Sequence, residues 1–77
     1  MNWILVSGPD EASASSEYWT GASWSASVNE AEVFSEAEGN NIESVRAIKG
    51  AQQGAFTDRD VRIAEVTVAV TITSELS

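Results

Sequence analysis

The chain has 77 residues, no cysteine, no histidine, and twelve carboxylates against four basic side chains, for a net charge of −8. That length allows one domain, residues 1–77, with one core. The missing thiols and imidazoles exclude disulfides, thiol nucleophiles, the common catalytic triads and zinc centres. A core of this size contributes roughly 3–5 kcal/mol of net stability, which leaves a monomer or a homodimer open.

In chain order, Asn2 to Ser7 is a short apolar run stopped by Gly8-Pro9-Asp10, the pattern of a buried strand. It is too short for a membrane span and has no basic leader, so neither a signal peptide nor a membrane helix is expected here. Residues 10–16 lack any large apolar side chain and are expected to form an exposed loop. Glu17 to Thr20 and Ser23 to Ala26 flank Gly21-Ala22 and predict a hairpin, with Gly21 supplying the positive φ of a tight turn. Ala31 to Phe34 predicts a further short extended piece.

Ser35-Glu36-Ala37-Glu38 fits a capping box, with Ser35 and Glu38 satisfying each other's backbone N–H. Ile42, Val45 and Ile48 then recur at helical spacing, with Arg46 and Lys49 placed near the expected C-terminal end. Gly39-Asn40-Asn41 interrupts this pattern, so the helix either runs through or restarts after Asn41, with Gly50 as its stop. Residues 50–57 are expected to form a loop anchored by Phe56. Val66, Val68, Val70 and Ile72 alternate with Thr67, Ala69, Thr71 and Thr73, the period of a half-buried strand. Val61 and Ile63 fall on the opposite parity, which calls for a bulge near Ala64-Glu65 or burial of the upstream stretch on its other face. The expected fold is α+β: a small antiparallel sheet of three to four strands with one helix packed on it.

The charge is unevenly spread. Residues 1–45 carry Asp10, Glu11, Glu17, Glu30, Glu32, Glu36, Glu38 and Glu43 with no Lys or Arg, whereas residues 46–77 carry four acids and four bases. Such a chain repels nucleic acid and anionic membranes and attracts basic protein surfaces. There is no glycine-rich phosphate loop and no metalloprotease motif. Asp58-Arg59-Asp60 resembles a fragment of a calcium loop without its later glycine and glutamate, and is better explained as a turn into the following strand. Among twelve acids, chance carboxylate pairs say little about acid–base catalysis, so no enzyme and no cofactor are expected. Trp3, Trp19 and Trp24 are expected mainly to fill the core, since aromatic stacking on bases would need a basic groove beside them. Tyr18 or Trp24, if exposed, would suit a protein contact.

The run Tyr18-Trp19, Trp24, Ala31, Val33-Phe34 and Ser35-Glu36-Ala37-Glu38 resembles a "YW…W…A-x-V-F" pattern of small acidic phage and mobile-element proteins. The resemblance covers residues 2–38, with residues 61–73 as a closing strand. Small size, acidity and lack of catalytic residues are further similar to the anti-CRISPR class of host-defence inhibitors. What the resemblance implies is a cytoplasmic DNA mimic in a bacterial host, binding the basic surface of a nucleoprotein complex such as a Cas effector. Its contact residues would be Glu30, Glu32, Glu36, Glu38 and Glu43, with Asp10, Glu11 and Glu17 as a second cluster. On a strand Glu30 and Glu32 would share a face, and on a continuous helix Glu36 and Glu43 would lie two turns apart on one side. Two alternatives stand beside this expectation. The acidity could serve solubility alone, or the chain could be a phage structural or accessory subunit that oligomerises through its C-terminal strand.

Overall fold

The run Trp3 to Val6 is apolar without alternation because its strand is covered on both faces. In the computed structural model, which describes residues 1–8 and 16–67 together with the backbone of 72–76, β1 (Asn2–Ser7) lies at the centre of an antiparallel sheet. Along one edge it pairs over its whole length with β5 (Val61–Val66), from Asn2 opposite Val66 to Ser7 opposite Val61. Its other edge is shared by two short strands. β4 (Phe34–Ser35) pairs with Asn2 and Trp3, and β2 (Glu17–Trp19) pairs with Val6 and Ser7. β3 (Trp24–Ser25) extends the sheet beyond β2, and β6 (Ile72–Leu76) extends it beyond β5, giving the order β3-β2-β1-β5-β6. With α1 (Ile42–Ala55), the one α-helix among the described residues, this is the expected α+β class, with more strands than the sequence suggested.

Helix α1 covers one face. Trp3, Leu5, Trp19, Phe34, Val45, Val61 and Ile63 form a buried cluster there, joined by half-buried Trp24, Ile42, Ile48 and Phe56. The helix reaches this cluster with Ile42, Val45 and Ile48, the spacing that marks one apolar stripe. Ile4, Val6, Ala31, Ala64 and Val66 are buried on the opposite face, packed with Tyr18, Val28 and Val33. The parity change at Val61 and Ile63 therefore reflects burial of β5 on both sides. A register shift between Glu65 and Val66 also occurs in the β5–β6 ladder, where Glu65 faces Ser74 and Val66 faces Ile72.

Four expectations are corrected. The acidic turn after Phe34 is a single 3-10 turn, Glu36–Glu38, with Ser35 Oγ accepting from the Glu38 N–H at 3.2 Å. It ends at Gly39, whose φ of 92° stops it in the left-handed region that glycine adopts without strain. Of the two expected alternatives helix α1 takes the restart behind Asn41, with a reciprocal Asn41–Ser44 capping box at 2.9 Å in both directions. Glu36 and Glu43 thus lie on separate elements rather than on one helical face. Second, Gly50 is not a stop: the helix runs through it and Gly54 to Ala55, because Ile48 and the following Phe56 both reach the core. Arg46 and Lys49 consequently sit mid-helix, and the last turn has no basic residue.

Third, Glu30 closes a 3-10 turn, Val28–Glu30, so Glu30 and Glu32 do not share a strand face. Fourth, the C-terminal pattern is not one strand, for β5 ends at Val66 and β6 begins at Ile72. The alternation at Val68 to Thr71 lies outside the described residues, as do residues 10–15 of the loop expected over 10–16. The hairpin forms as expected around Gly21, whose φ is 104°. Trp3 and Trp19 are buried and Trp24 is half-buried, as is Tyr18.

Candidate functional site

The two halves of the charge pattern occupy different places. Between β3 and α1 the chain passes along the β2–β4 side of the sheet in short turns, and Glu30, Glu32, Glu36 and Glu38 on this stretch are exposed, as is Glu43 at the start of α1. Local bonds orient several of them. The Ser25 hydroxyl donates to Glu30 Oε1. The Glu32 N–H donates to the Trp19 carbonyl at 2.8 Å, and its carboxylate lies over Gly21, where a Cβ would come within 3.1 Å of Oε1. Glu36 Oε1 meets the Met1 α-amino group at 2.9 Å, an exposed pair. Glu38 is fixed through its backbone by Ser35, and Glu43 occupies the first turn of α1, where the helix dipole favours an acid. These five exposed carboxylates follow one another in chain order, turn by turn, and make up the chain's acidic margin. Asp10 and Glu11 lie outside the described residues.

Glu17 is separate from that margin. Its Oε1 accepts from Arg59 Nη1 at 2.6 Å, and the same nitrogen donates to the buried Ser7 hydroxyl at 3.2 Å. The Arg59 guanidinium lies over the Trp24 ring, 4.9 Å from its centroid, and 6.0 Å from that of Phe56. Trp19, Trp24 and Phe56 touch one another in a triangle with centroids 5.4–5.9 Å apart. Asp58 Oδ1 stands 3.6 Å from Arg59 Nε. An arginine stacked on indole and paired with a carboxylate in this way is held as a planar ion, a geometry that lysine does not reproduce.

Gln53, in the last turn of α1, fixes the backbone of that corner. Its Nε2 donates to the Arg59 carbonyl at 2.7 Å and to the Phe56 carbonyl at 3.2 Å, and its Oε1 accepts from the Val61 N–H at 2.8 Å. One helical side chain thereby ties the end of the helix, the 56–60 turn and the start of β5. Beside Arg59 lies an open cleft of about 410 Å³, lined by Ser7, Gly8, Glu17, Thr57, Asp58, Arg59 and Asp60. Asp58-Arg59-Asp60 thus forms the turn into β5, and among the described residues no cluster of three or more acids is placed to hold a metal ion.

Sequence reasoning missed Ser7, Trp24, Gln53, Phe56 and Arg59 as one assembly. The available signal was Arg59 itself: a basic residue set between two aspartates in so acidic a chain invites a search for a more distant partner. No protein-family model matches the chain, and no match appears among curated proteins or solved structures. No described helix is long and apolar enough to cross a membrane.

Proposed function

We infer that this chain is a non-enzymatic acidic binding protein that occupies a basic nucleic-acid-binding surface of a host protein complex. The observation that supports this most directly is the exposure of Glu30, Glu32, Glu36, Glu38 and Glu43 along one stretch that contains no Lys or Arg. Surfaces that hold nucleic acid place Lys and Arg against regularly spaced phosphates, and a row of carboxylates held by turns and caps competes for the same cations. Small turns suit this role because they fix the spacing of the charges without long, mobile connections. The resemblance to anti-CRISPR proteins makes a Cas effector the specific candidate.

The test is displacement. The chain is immobilised, a nucleic-acid-binding complex is captured from bacterial host extract, and labelled nucleic acid is offered to that complex with and without the free chain. The expected result is loss of nucleic-acid binding as the chain is added. Simultaneous binding of both would remove the mechanism.

A second reading rests on β6, which ends the sheet with only β5 beside it among the described strands. Such an edge can pair with another strand. Association through β6 would persist at high salt, whereas the acidic margin would release its partner.

A further inference from the structure

We propose that Ser7, Glu17, Trp24 and Phe56 form a guanidinium receptor, filled by Arg59 in the free protein, which an arginine of the basic partner can take in its place. The proposal rests on the functional reading above, since it assumes that the partner presents arginines. Arg59 Nη1 donates to a carboxylate at 2.6 Å and to a buried hydroxyl at 3.2 Å while the guanidinium carbon lies 4.9 Å from an aromatic ring, and it is the combination of edge donation with the ring contact that favours a guanidinium over an ammonium ion. All three are supplied by β1, β2 and β3, whereas the occupant comes from the 56–60 turn. Of the receptor only Phe56 comes from the occupant's own turn; Ser7, Glu17 and Trp24 belong to other parts of the chain and meet Arg59 through side-chain contacts that another arginine could duplicate.

Three features make the exchange feasible. The Arg59 side chain is 22% exposed, and its head borders the open cleft, so an entering side chain has a route to it. Asp58 and Asp60, 72% and 64% exposed, flank that cleft and draw cations towards it. Asp58, exposed beside the cleft and 3.6 Å from Nε of the seated side chain, is the neighbouring carboxylate available to a displaced Arg59. The backbone need not move, since Gln53 holds the Arg59 carbonyl whichever way the side chain points. The exchange replaces one arginine by another on the same contacts, so the advantage comes from the rest of the partner, whose other cations meet the acidic margin.

The experiment uses the intact wild-type chain, labelled for NMR, and two peptides of equal length and charge, oligo-arginine and oligo-lysine. The reporters are the Nε–H of Arg59 and the indole N–H of Trp24, an atom buried without a hydrogen-bond partner. Both peptides should shift the backbone amides of Glu30 to Glu43. Only oligo-arginine should move the Arg59 and Trp24 signals; because the contacts it gains are those Arg59 gives up, its affinity should exceed that of oligo-lysine by no more than about twofold. If oligo-arginine perturbs the margin but leaves Arg59 and Trp24 unmoved, the receptor is closed to other arginines and the proposal fails while the functional reading stands. If neither peptide binds, both fail. Arg59→Lys adds a control that retains the charge: its receptor is incompletely filled, so the preference for oligo-arginine should widen, and an unchanged preference would overturn the assignment of these residues.

Discussion

Glu17 and Glu38 belong to the same acid-only stretch of the chain, and the structure uses them in opposite ways. Glu17 faces an arginine that is itself stacked on indole and hydrogen-bonded to a buried serine. Glu38 is positioned through its backbone by Ser35, and its carboxylate is left to water. Around Glu17 the chain has spent side chains from β1, β2, β3, α1 and the 56–60 turn on a tied corner. Around Glu38 it has only single turns and caps. A carboxylate's role here depends less on its place in the charge pattern than on what the fold sets opposite it. The net charge of −8 therefore overstates the tied corner and describes the margin well.

Substitutions that remove a tie should sharpen this contrast. Gln53→Ala leaves the Val61 N–H and the Arg59 carbonyl without their bonds, and should cost about 2 kcal/mol, as expected for orphaned part-buried polar groups. In a domain of this size that lowers the melting temperature by roughly 8–16 °C. A loss of only a degree or two would show that the corner is not held in this way. Glu17→Gln keeps the shape and removes the charge. With Glu17 40% exposed, solvent screening limits the expected loss to about 0.5 kcal/mol, measured by urea unfolding.

Helix α1, which bridges the two regions, predicts a gain. A Cβ at Gly50 would meet no atom within 4 Å, so Gly50→Ala should raise stability by about 0.5–1 kcal/mol in the same assay. Glu38→Gln should change unfolding by less than about 0.5 kcal/mol, as an exposed surface substitution does. A larger loss at Glu38 than at Glu17 would invert the comparison.

Much of the framework was legible because it depends on neighbours in sequence. The Trp3–Val6 run is bounded by Gly8-Pro9, Gly21 provides its turn, and Ser35 and Asn41 stand where N-terminal caps belong. The helix end was misjudged because a glycine was treated as a local stop, when the burial of Ile48 and Phe56 outweighs the roughly 1 kcal/mol that a mid-helix glycine costs. The C-terminal strand was misplaced because a run with both parities buried does not reveal where one strand ends and the next begins. The exposed glutamates were visible as a composition bias, but their separation onto distinct turns was not. The Arg59 corner was illegible for a different reason: residues 7, 17, 24, 53, 56 and 59 come together only once the sheet has formed, and no spacing in the chain encodes that meeting.

The central claim is that the acidic margin supplies the charge that captures a basic partner. It is tested most directly by the affinity of the nucleic-acid-binding complex captured from host extract, measured across a salt series. Wild type is compared with a variant carrying Glu30→Gln, Glu32→Gln, Glu36→Gln, Glu38→Gln and Glu43→Gln. The account predicts that wild-type affinity falls steeply with salt, as ion pairing to multiple charges requires, and that the variant binds weakly with a nearly flat salt dependence. Equal affinities and equal slopes for the two chains would contradict it.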